Sequence, residues 1–172
     1  YRPLRRIERS VANMENIIET LLWLAREGLE VDQDQVLEVG SVVQETIEQN
    51  RYLIGNKPVE IAFVSEGNPQ LSIPAPIFQI MLTNLIRNAI QHTASGKISV
   101  IVRDDRVIVS DSGEGMEPEA LRLVTQPLSG DDRYRGHGIG LSIVTRLCNR
   151  LDWNLEFDSE PDRGTTAQLI FS

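Results

Sequence analysis

Several polar side chains share one face of a helix that the sequence predicts from Pro76 to about Thr93. The four that fall within roughly a 100° arc are Asn84, Arg87, Asn88 and Gln91. Amide side chains can ligate Mg2+ through oxygen and donate hydrogen bonds to phosphates. This face therefore predicts a metal and phosphate site, with an ordinary solvated helix face as the alternative.

An aspartate and two glycines follow directly after a predicted strand, in the segment Asp111-Ser112-Gly113-Glu114-Gly115. An aspartate at a strand end can accept a hydrogen bond from an exocyclic amine. Glycines beside it would let the backbone approach a ligand ring closely. The alternative is a glycine-rich turn with a capping aspartate.

Two further glycine segments occur later in the chain. Gly136, Gly138 and Gly140 open a predicted helix, whose free N–H groups and positive dipole end suit a phosphate. Their G-x-G-x-G spacing is not the dinucleotide fingerprint, and no Gly-Lys-Ser/Thr of a Walker loop occurs. Gly164-Thr165-Thr166 opens the last strand, where hydroxyls could line a pocket or simply begin the strand.

Interleaved helices and strands must position these segments. Hydrophobic periodicity predicts helices over about 41–54, 76–93, 117–124 and 139–151, and strands over 59–64, 98–102, 107–110, 153–157 and 165–171. The strands over 98–102 and 107–110 should form an antiparallel pair. No βαβ unit repeats, so we predict an α+β fold: a two-layer sandwich of a mixed β-sheet with helices on one face.

A separate helix is predicted before this unit. Apolar residues from Leu4 to Ala25 recur at alternating spacings of three and four, which is typical of a helix that pairs with other helices. Gly28 ends the pattern, and an acidic stretch follows. We therefore predict a helix over 1–28, a linker over 29–38 and a second unit over 39–172. The helix could dimerise or fold back on that second unit.

Composition excludes several classes of function. The 172 residues carry a formal net charge of −8, which disfavours nucleic-acid binding and anionic membranes. One cysteine, Cys148, cannot form an internal disulfide, and two histidines without partner cysteines make a poor metal site. We read Cys148 and Trp153 as core residues. The single cysteine favours a reducing, cytoplasmic setting. No apolar run is long enough to span a membrane, so we expect no direct membrane contact.

In this order the four segments resemble the ATP-binding domain of sensor histidine kinases, within the superfamily that includes gyrase, the heat-shock chaperone ATPase and the mismatch-repair ATPase. The resemblance covers about residues 39–172. Asn84-Leu85-Ile86-Arg87-Asn88-Ala89 stands as the asparagine box, and the glycine boxes are Asp111–Gly115, Gly136–Val144 and Gly164-Thr165. The segment from Ile7 to Arg26 resembles the second helix of the kinase dimerisation and phosphotransfer hairpin.

The resemblance implies a role for each matched position. Asn88 would hold the Mg2+ that bridges the ATP phosphates, and Asp111 would accept from the adenine amine and favour ATP over GTP. Thr165 would complete the adenine end, and residues 125–138 would form a mobile lid over the nucleotide. The remaining residues that we expect to contact the nucleotide are Asn84, Gln91, His92, Gly113, Gly115, Met116, Arg133, Arg135, Gly136, His137, Gly138, Ile139, Gly140 and Leu141.

Position 84 separates enzymes within the superfamily. The ATP hydrolases carry a glutamate there that activates water, whereas this chain has Asn84, which is no useful general base. Asn84 and Asn88 would thus serve phosphoryl transfer to a histidine on the first hairpin helix, outside this chain. The phosphate would then pass to an aspartate of a response regulator. The resemblance further implies a homodimer through the N-terminal helix and a parent protein that is an inner-membrane sensor.

The chain departs from the family pattern at two places. Family members often have a lysine or arginine at Gln91 and aromatic residues in the lid, where this chain has Leu123 to Leu128. These departures leave open a nonenzymatic nucleotide-dependent interaction module. A serine or threonine kinase of the anti-sigma factor type is a second alternative, against which the hairpin-like helix argues.

Overall fold

The computed structural model of the chain describes residues 36–125 and 138–171, together with Ile18. Apart from Ile18, the predicted helix over 1–28 lies outside these residues, as do most of the linker and most of the lid. The division into a helix, a linker and a second unit therefore stays a prediction. Within the described residues, no helix is both long enough and apolar enough to cross a membrane.

Seven short or medium strands and four α-helices make up the described part of the chain. In chain order they are β1 (Leu37–Glu38), α1 (Val39–Asn50), β2 (Val59–Ser65), β3 (Gln70–Leu71), α2 (Ala75–His92), β4 (Gly96–Val102), β5 (Arg106–Asp111), α3 (Pro118–Thr125), α4 (Gly138–Leu151), β6 (Asn154–Glu160) and β7 (Gly164–Ile170). The main sheet has the strand order β2-β4-β5-β7-β6. Only β2 and β4 run parallel, so the predicted mixed sheet is confirmed.

One face of this sheet carries the hydrophobic core. Alternate residues of the central strands are buried, among them Val100 in β4, Val109 in β5 and Leu169 in β7. Helices contact this face: α1 lies against β2, α2 against β5, and both α3 and α4 against β6. Apolar residues repeat every two positions in the strands and about every 3.6 positions in the helices, so each element has one apolar face. These faces pack together in a two-layer α+β sandwich, as the sequence predicts.

Helix α2 is the central helix of the layer and carries the asparagine box. It begins after Pro74 with Pro76 in its first turn, where a missing N–H costs no helical hydrogen bond. At its other end the Lys57 ammonium donates to the carbonyl oxygens of Ile90 at 2.7 Å and Thr93 at 3.1 Å. Lys57 thereby satisfies carbonyls that the helix leaves unpaired and places a positive charge at its negative end.

The predictions for Cys148 and Trp153 are confirmed. Trp153 is buried. Its ring packs edge-on against Phe78 at 6.2 Å and at a tilt against Phe171 at 4.9 Å, both measured between ring centroids. Cys148 is 2% exposed, and burial raises the pKa of its thiol to about 12. Both residues therefore stabilise the core rather than act on a ligand.

The structure differs from the sequence predictions in three local respects. Helix α1 ends at Asn50 rather than near residue 54, and a 3-10 turn follows it. Strand β6 extends to Glu160, because its ladder with β7 continues to the pair Glu160 and Gly164. The small sheet of β1 and β3 was not predicted, because two-residue strands carry no detectable alternation and their pairing joins distant segments.

Candidate functional site

A cavity of about 440 Å³ opens between α2, α3, the start of α4 and the core face of β5, β6 and β7. This volume lies within the range of small-molecule sites. Of the residues that the sequence predicts to bind a nucleotide, eight line the cavity: Asn88, Gln91, His92, Asp111, Gly115, Met116, Leu141 and Thr165. The fold therefore brings together residues from the asparagine box and from three separate glycine segments.

Asp111, the last residue of β5, is fixed by backbone hydrogen bonds at one end of the cavity. Its Oδ1 accepts from the N–H of Gly113 at 2.8 Å and from the N–H of Thr165 at 3.3 Å. Burial raises the pKa of this carboxyl group, and the two N–H donors partly offset that effect. Oδ2 has no hydrogen bond to any described residue, so this oxygen is free to accept one from a ligand.

The glycines beside Asp111 are required by backbone packing. A side chain on Gly113 would meet the carbonyl oxygen of His92, and one on Gly115 would meet that of Glu160. Gly164 has a φ of +87°, and a Cβ there would meet the carbonyl oxygen of Asp111. The sequence suggested that such glycines let the backbone approach a ligand. In the structure they let β7, the end of α2 and the loop after β5 approach one another.

Three polar residues of α2 also line the cavity. Asn88 is half-buried, and its side-chain amide makes no hydrogen bond to the described residues. Gln91 and His92 are exposed at the cavity mouth. An amide oxygen that has no hydrogen bond to the described residues and lies beside an open cavity is an appropriate ligand for a magnesium ion that keeps several waters and phosphate oxygens.

Asn84 lies one helical turn before Asn88 and does not line the cavity. Its Nδ2 donates to the carbonyl oxygen of Ile80 at 2.8 Å, and its Oδ1 faces Gly140 in the first turn of α4. A side chain at Gly140 would meet this Oδ1. Asn84 thus sets the distance between the asparagine-box helix and the glycine-rich start of α4.

The side chains of His92 and Glu114 are in hydrogen-bond contact at the edge of the cavity. Nδ1 of His92 lies 2.6 Å from Oε1 of Glu114, and the N–H of Glu114 donates to the carbonyl oxygen of His92 at 3.2 Å. The pair connects the end of α2 to the loop after β5. Glu114 lines the cavity, although no role was predicted for it from the sequence.

Only the two end residues of the expected lid, 125 and 138, are among the described residues. Arg133, Arg135, Gly136 and His137 lie outside the described residues. Gly138 and Ile139 form the first two residues of α4. Gly113 and Gly140 are not among the residues that line the cavity.

The apolar floor of the cavity was not predicted as part of a site. Its residues come from α2, α3 and the strands: Leu85, Ala89, Val109, Ala120, Phe157 and Ala167. In the sequence they are indistinguishable from core residues, because they share the same periodicity. Only their position beneath an opening makes them a surface for a flat, apolar ligand ring.

Comparisons with known proteins agree with this geometry. The family model described as "Histidine kinase-, DNA gyrase B-, and HSP90-like ATPase" matches residues 75–172. The methanogenesis regulatory histidine kinase FilI of Methanothrix harundinacea is 28% identical over 94% of this chain and 19% of its own length. The signal transduction histidine-protein kinase BarA of Escherichia coli (strain K12) is 28% identical over 95% of this chain and 20% of its own.

A solved structure shows the same fold. The cytoplasmic segment of histidine kinase QseC superposes with a TM-score of 0.69 at 18% identity, covering 96% of this chain and 92% of that one. The chain spans about a fifth of the length of the curated relatives named above. The family match includes α2, the Asp111 loop, α4 and the strands of the cavity, so the chain belongs to the histidine kinase-, DNA gyrase B- and HSP90-like ATPase family.

Proposed function

We propose that this domain binds Mg-ATP in the cavity beside Asp111 and presents its γ-phosphoryl group to a histidine of a partner helix. The observation that carries the proposal is the juxtaposition of a fixed carboxylate, an apolar floor and an α2 amide that makes no hydrogen bond to the described residues. Family membership and the histidine kinase relatives support the same assignment.

The adenine base would lie on the apolar floor with its amine toward Asp111. The free Oδ2 of Asp111 can accept a hydrogen bond from that amine, whereas a carbonyl oxygen at the same place would be repelled. Leu85, Ala89 and Phe157 can contact the faces of the ring. This arrangement would favour ATP over GTP.

The phosphates would lie toward Asn88, Gln91 and the start of α4. Asn88 would give its amide oxygen to Mg2+, which supplies charge neutralisation for the phosphates when it is bound. The N–H groups in the first turn of α4 are free of helical partners and would donate to phosphate oxygens. Arg133, Arg135, Gly136 and His137 remain predicted phosphate contacts.

Transfer rather than hydrolysis is the reaction that these residues favour. Asn84 occupies the position from which a glutamate would activate water, and its amide instead bonds Ile80 and faces Gly140. An amide cannot take a proton from water at neutral pH. The acceptor would be a histidine outside this chain, and the phosphate would pass on to a response regulator aspartate.

The wider assembly remains part of the proposal. We propose that residues 1–28 form the second helix of a dimerisation hairpin, that 29–38 link it to the ATP-binding unit, and that the intact protein is a homodimer. A nonenzymatic nucleotide-dependent module is the alternative, motivated by Gln91 in place of a basic residue.

Equilibrium binding of ATP and GTP to this chain by calorimetry, with and without Mg2+, tests the nucleotide site. Selective ATP binding supports the proposal, and no binding by folded protein contradicts it. A longer stretch of the parent protein that includes the upstream helix then tests transfer. Acid-labile label on a histidine supports the kinase, and tight ATP binding without label supports the module.

A further inference from the structure

Ser159, on edge strand β6, joins three parts of the cavity wall without lining the cavity itself. Its Oγ accepts from the N–H of Met116 at 2.9 Å and donates to the carbonyl oxygen of Gly164 at 2.9 Å. The same Oγ lies 2.9 Å from Oγ1 of Thr165. Ser159 therefore contacts the loop after β5 and the start of β7 at once.

The hydrogen-bonding capacity of a hydroxyl fixes the direction of the third contact. Ser159 has one proton and two lone pairs. The carbonyl oxygen of Gly164 can only accept, so it takes the Ser159 proton, and the Met116 N–H can only donate, so it takes one lone pair. The remaining lone pair accepts from Thr165. The proton of the Thr165 hydroxyl is therefore directed at Ser159.

This direction determines what Thr165 offers to a ligand. Thr165 lines the cavity, and with its proton held by Ser159 its hydroxyl presents only lone pairs there. Its backbone N–H is also occupied, because it donates to Oδ1 of Asp111. Asp111 itself presents a carboxylate oxygen. This end of the cavity thus consists of acceptors from Asp111 and Thr165, with no donor from either residue.

We propose that Ser159 is a positioning residue that holds the Thr165 proton away from the cavity and so helps it select a 6-amino purine over a 6-oxo purine. An amino group has two N–H bonds and can donate to both acceptors. A carbonyl oxygen would face two acceptors. The inference rests on the proposed nucleotide site and adds to it a residue that acts through Thr165.

The test compares affinities for ADP and inosine diphosphate, which differ at the 6-position, using the full chain without Mg2+ so that the base dominates the comparison. Ser159→Ala frees the Thr165 hydroxyl to donate into the cavity. We expect the preference for ADP to fall by about threefold to tenfold, the effect of one ordinary hydrogen bond. Ser159→Thr keeps the hydroxyl and should keep the preference.

Thr165→Val provides the matched control because it removes the hydroxyl at similar volume. As a single substitution, Thr165→Val should also reduce the preference for ADP over inosine diphosphate. ADP then loses a hydrogen bond, while inosine diphosphate loses a repulsion. In the Thr165→Val background, Ser159→Ala should change the preference no further. Thr165→Val also tests the inference if Ser159→Ala does not fold. An equal loss of affinity for ADP and for inosine diphosphate in Thr165→Val would overturn the inference.

The remaining outcomes separate this inference from the proposed function. If wild-type protein binds neither nucleotide, the nucleotide site is wrong and the inference falls with it. If wild-type protein prefers ADP and Ser159→Ala weakens both nucleotides by the same factor, Ser159 is only structural. If Ser159→Ala reduces the preference for ADP by the same factor in the wild type and in Thr165→Val, its effect does not depend on Thr165, and the inference is wrong.

Discussion

The N–H of Thr165, near the start of β7, donates a hydrogen bond to Oδ1 of Asp111, at the end of β5, over 3.3 Å. The two residues are 54 positions apart, yet this contact fixes the carboxylate that the proposed adenine site depends on. The antiparallel pairing of β5 with β7 brings them together. The first prediction concerns this carboxylate.

Asp111→Asn should weaken ATP binding by about tenfold to a hundredfold, because an acceptor of the adenine amine becomes partly a donor and loses its charge. Its thermal stability should be equal to or higher than that of the wild type. Calorimetry and thermal unfolding at pH 7 measure the two effects. Asp158→Asn, an exposed carboxylate of β6, should change neither. A large loss of stability in Asp111→Asn would contradict the interpretation.

The pH dependence follows from the direction of the same shift. The folded-state pKa of Asp111 is raised by burial, so its contribution to stability falls as pH rises from the unfolded-state pKa through the folded-state value. At neutral pH the carboxylate therefore carries a small penalty, which Asp111→Asn removes. The measurement is the free energy of unfolding of both proteins between pH 3 and 7. As pH rises, the stability of the variant relative to that of the wild type should increase. A decrease in the relative stability of the variant as pH rises would contradict a raised pKa of Asp111 in the folded protein.

Asn88→Ala should reduce the effect of Mg2+ on ATP affinity while leaving ADP binding without metal nearly unchanged. The reason is that Asn88 would contact the metal ion rather than the base. We expect the gain in affinity on adding Mg2+ to shrink by about tenfold, typical of losing one metal ligand or its support. Titrations at several Mg2+ concentrations measure this gain. Asn149→Ala, an exposed amide of α4, is the control and should behave as wild type.

Gly164→Ala should destabilise the fold by about 2 to 5 kcal/mol, since it combines a left-handed backbone with a clash against the Asp111 carbonyl. Gly55→Ala is the matched control, because Gly55 has a φ of +59° but nothing within 4 Å of its Cβ position. It should cost only about 1 kcal/mol. Urea unfolding measures both. Equal costs at the two positions would show that the close approach to Asp111 is unimportant.

Cys148 should be unreactive in the folded protein. Its thiol is 2% exposed and its pKa is raised to about 12, so almost no thiolate exists at pH 8. A thiol-reactive chromophore should label the protein only after denaturant is added. Stoichiometric labelling of native protein within minutes would contradict burial of this residue.

The sequence determined the fold class and the segments of the site. Alternating apolar residues in 98–102 and 107–110 specify strands with one buried face, and the apolar stripe after Pro76 specifies a helix that covers it. Asp111, Asn88 and the glycine segments stand out because their residue types and local spacing suit a nucleotide. These signals are local, so they can be read from the chain alone, and the family match agrees with them.

The folded structure, and not the local pattern, shows which of these residues meet and how their protons are arranged. The hydrogen bonds of Ser159 with Met116 and Thr165 join residues of three segments, and no spacing in the sequence indicates them. Likewise Phe157 and Leu85 become the floor of a cavity only because β6 and α2 leave an opening between them. Hydrogen bonding and packing depend on distances of a few ångströms between segments far apart in the chain, and those distances are set by the folded sheet rather than by local pattern.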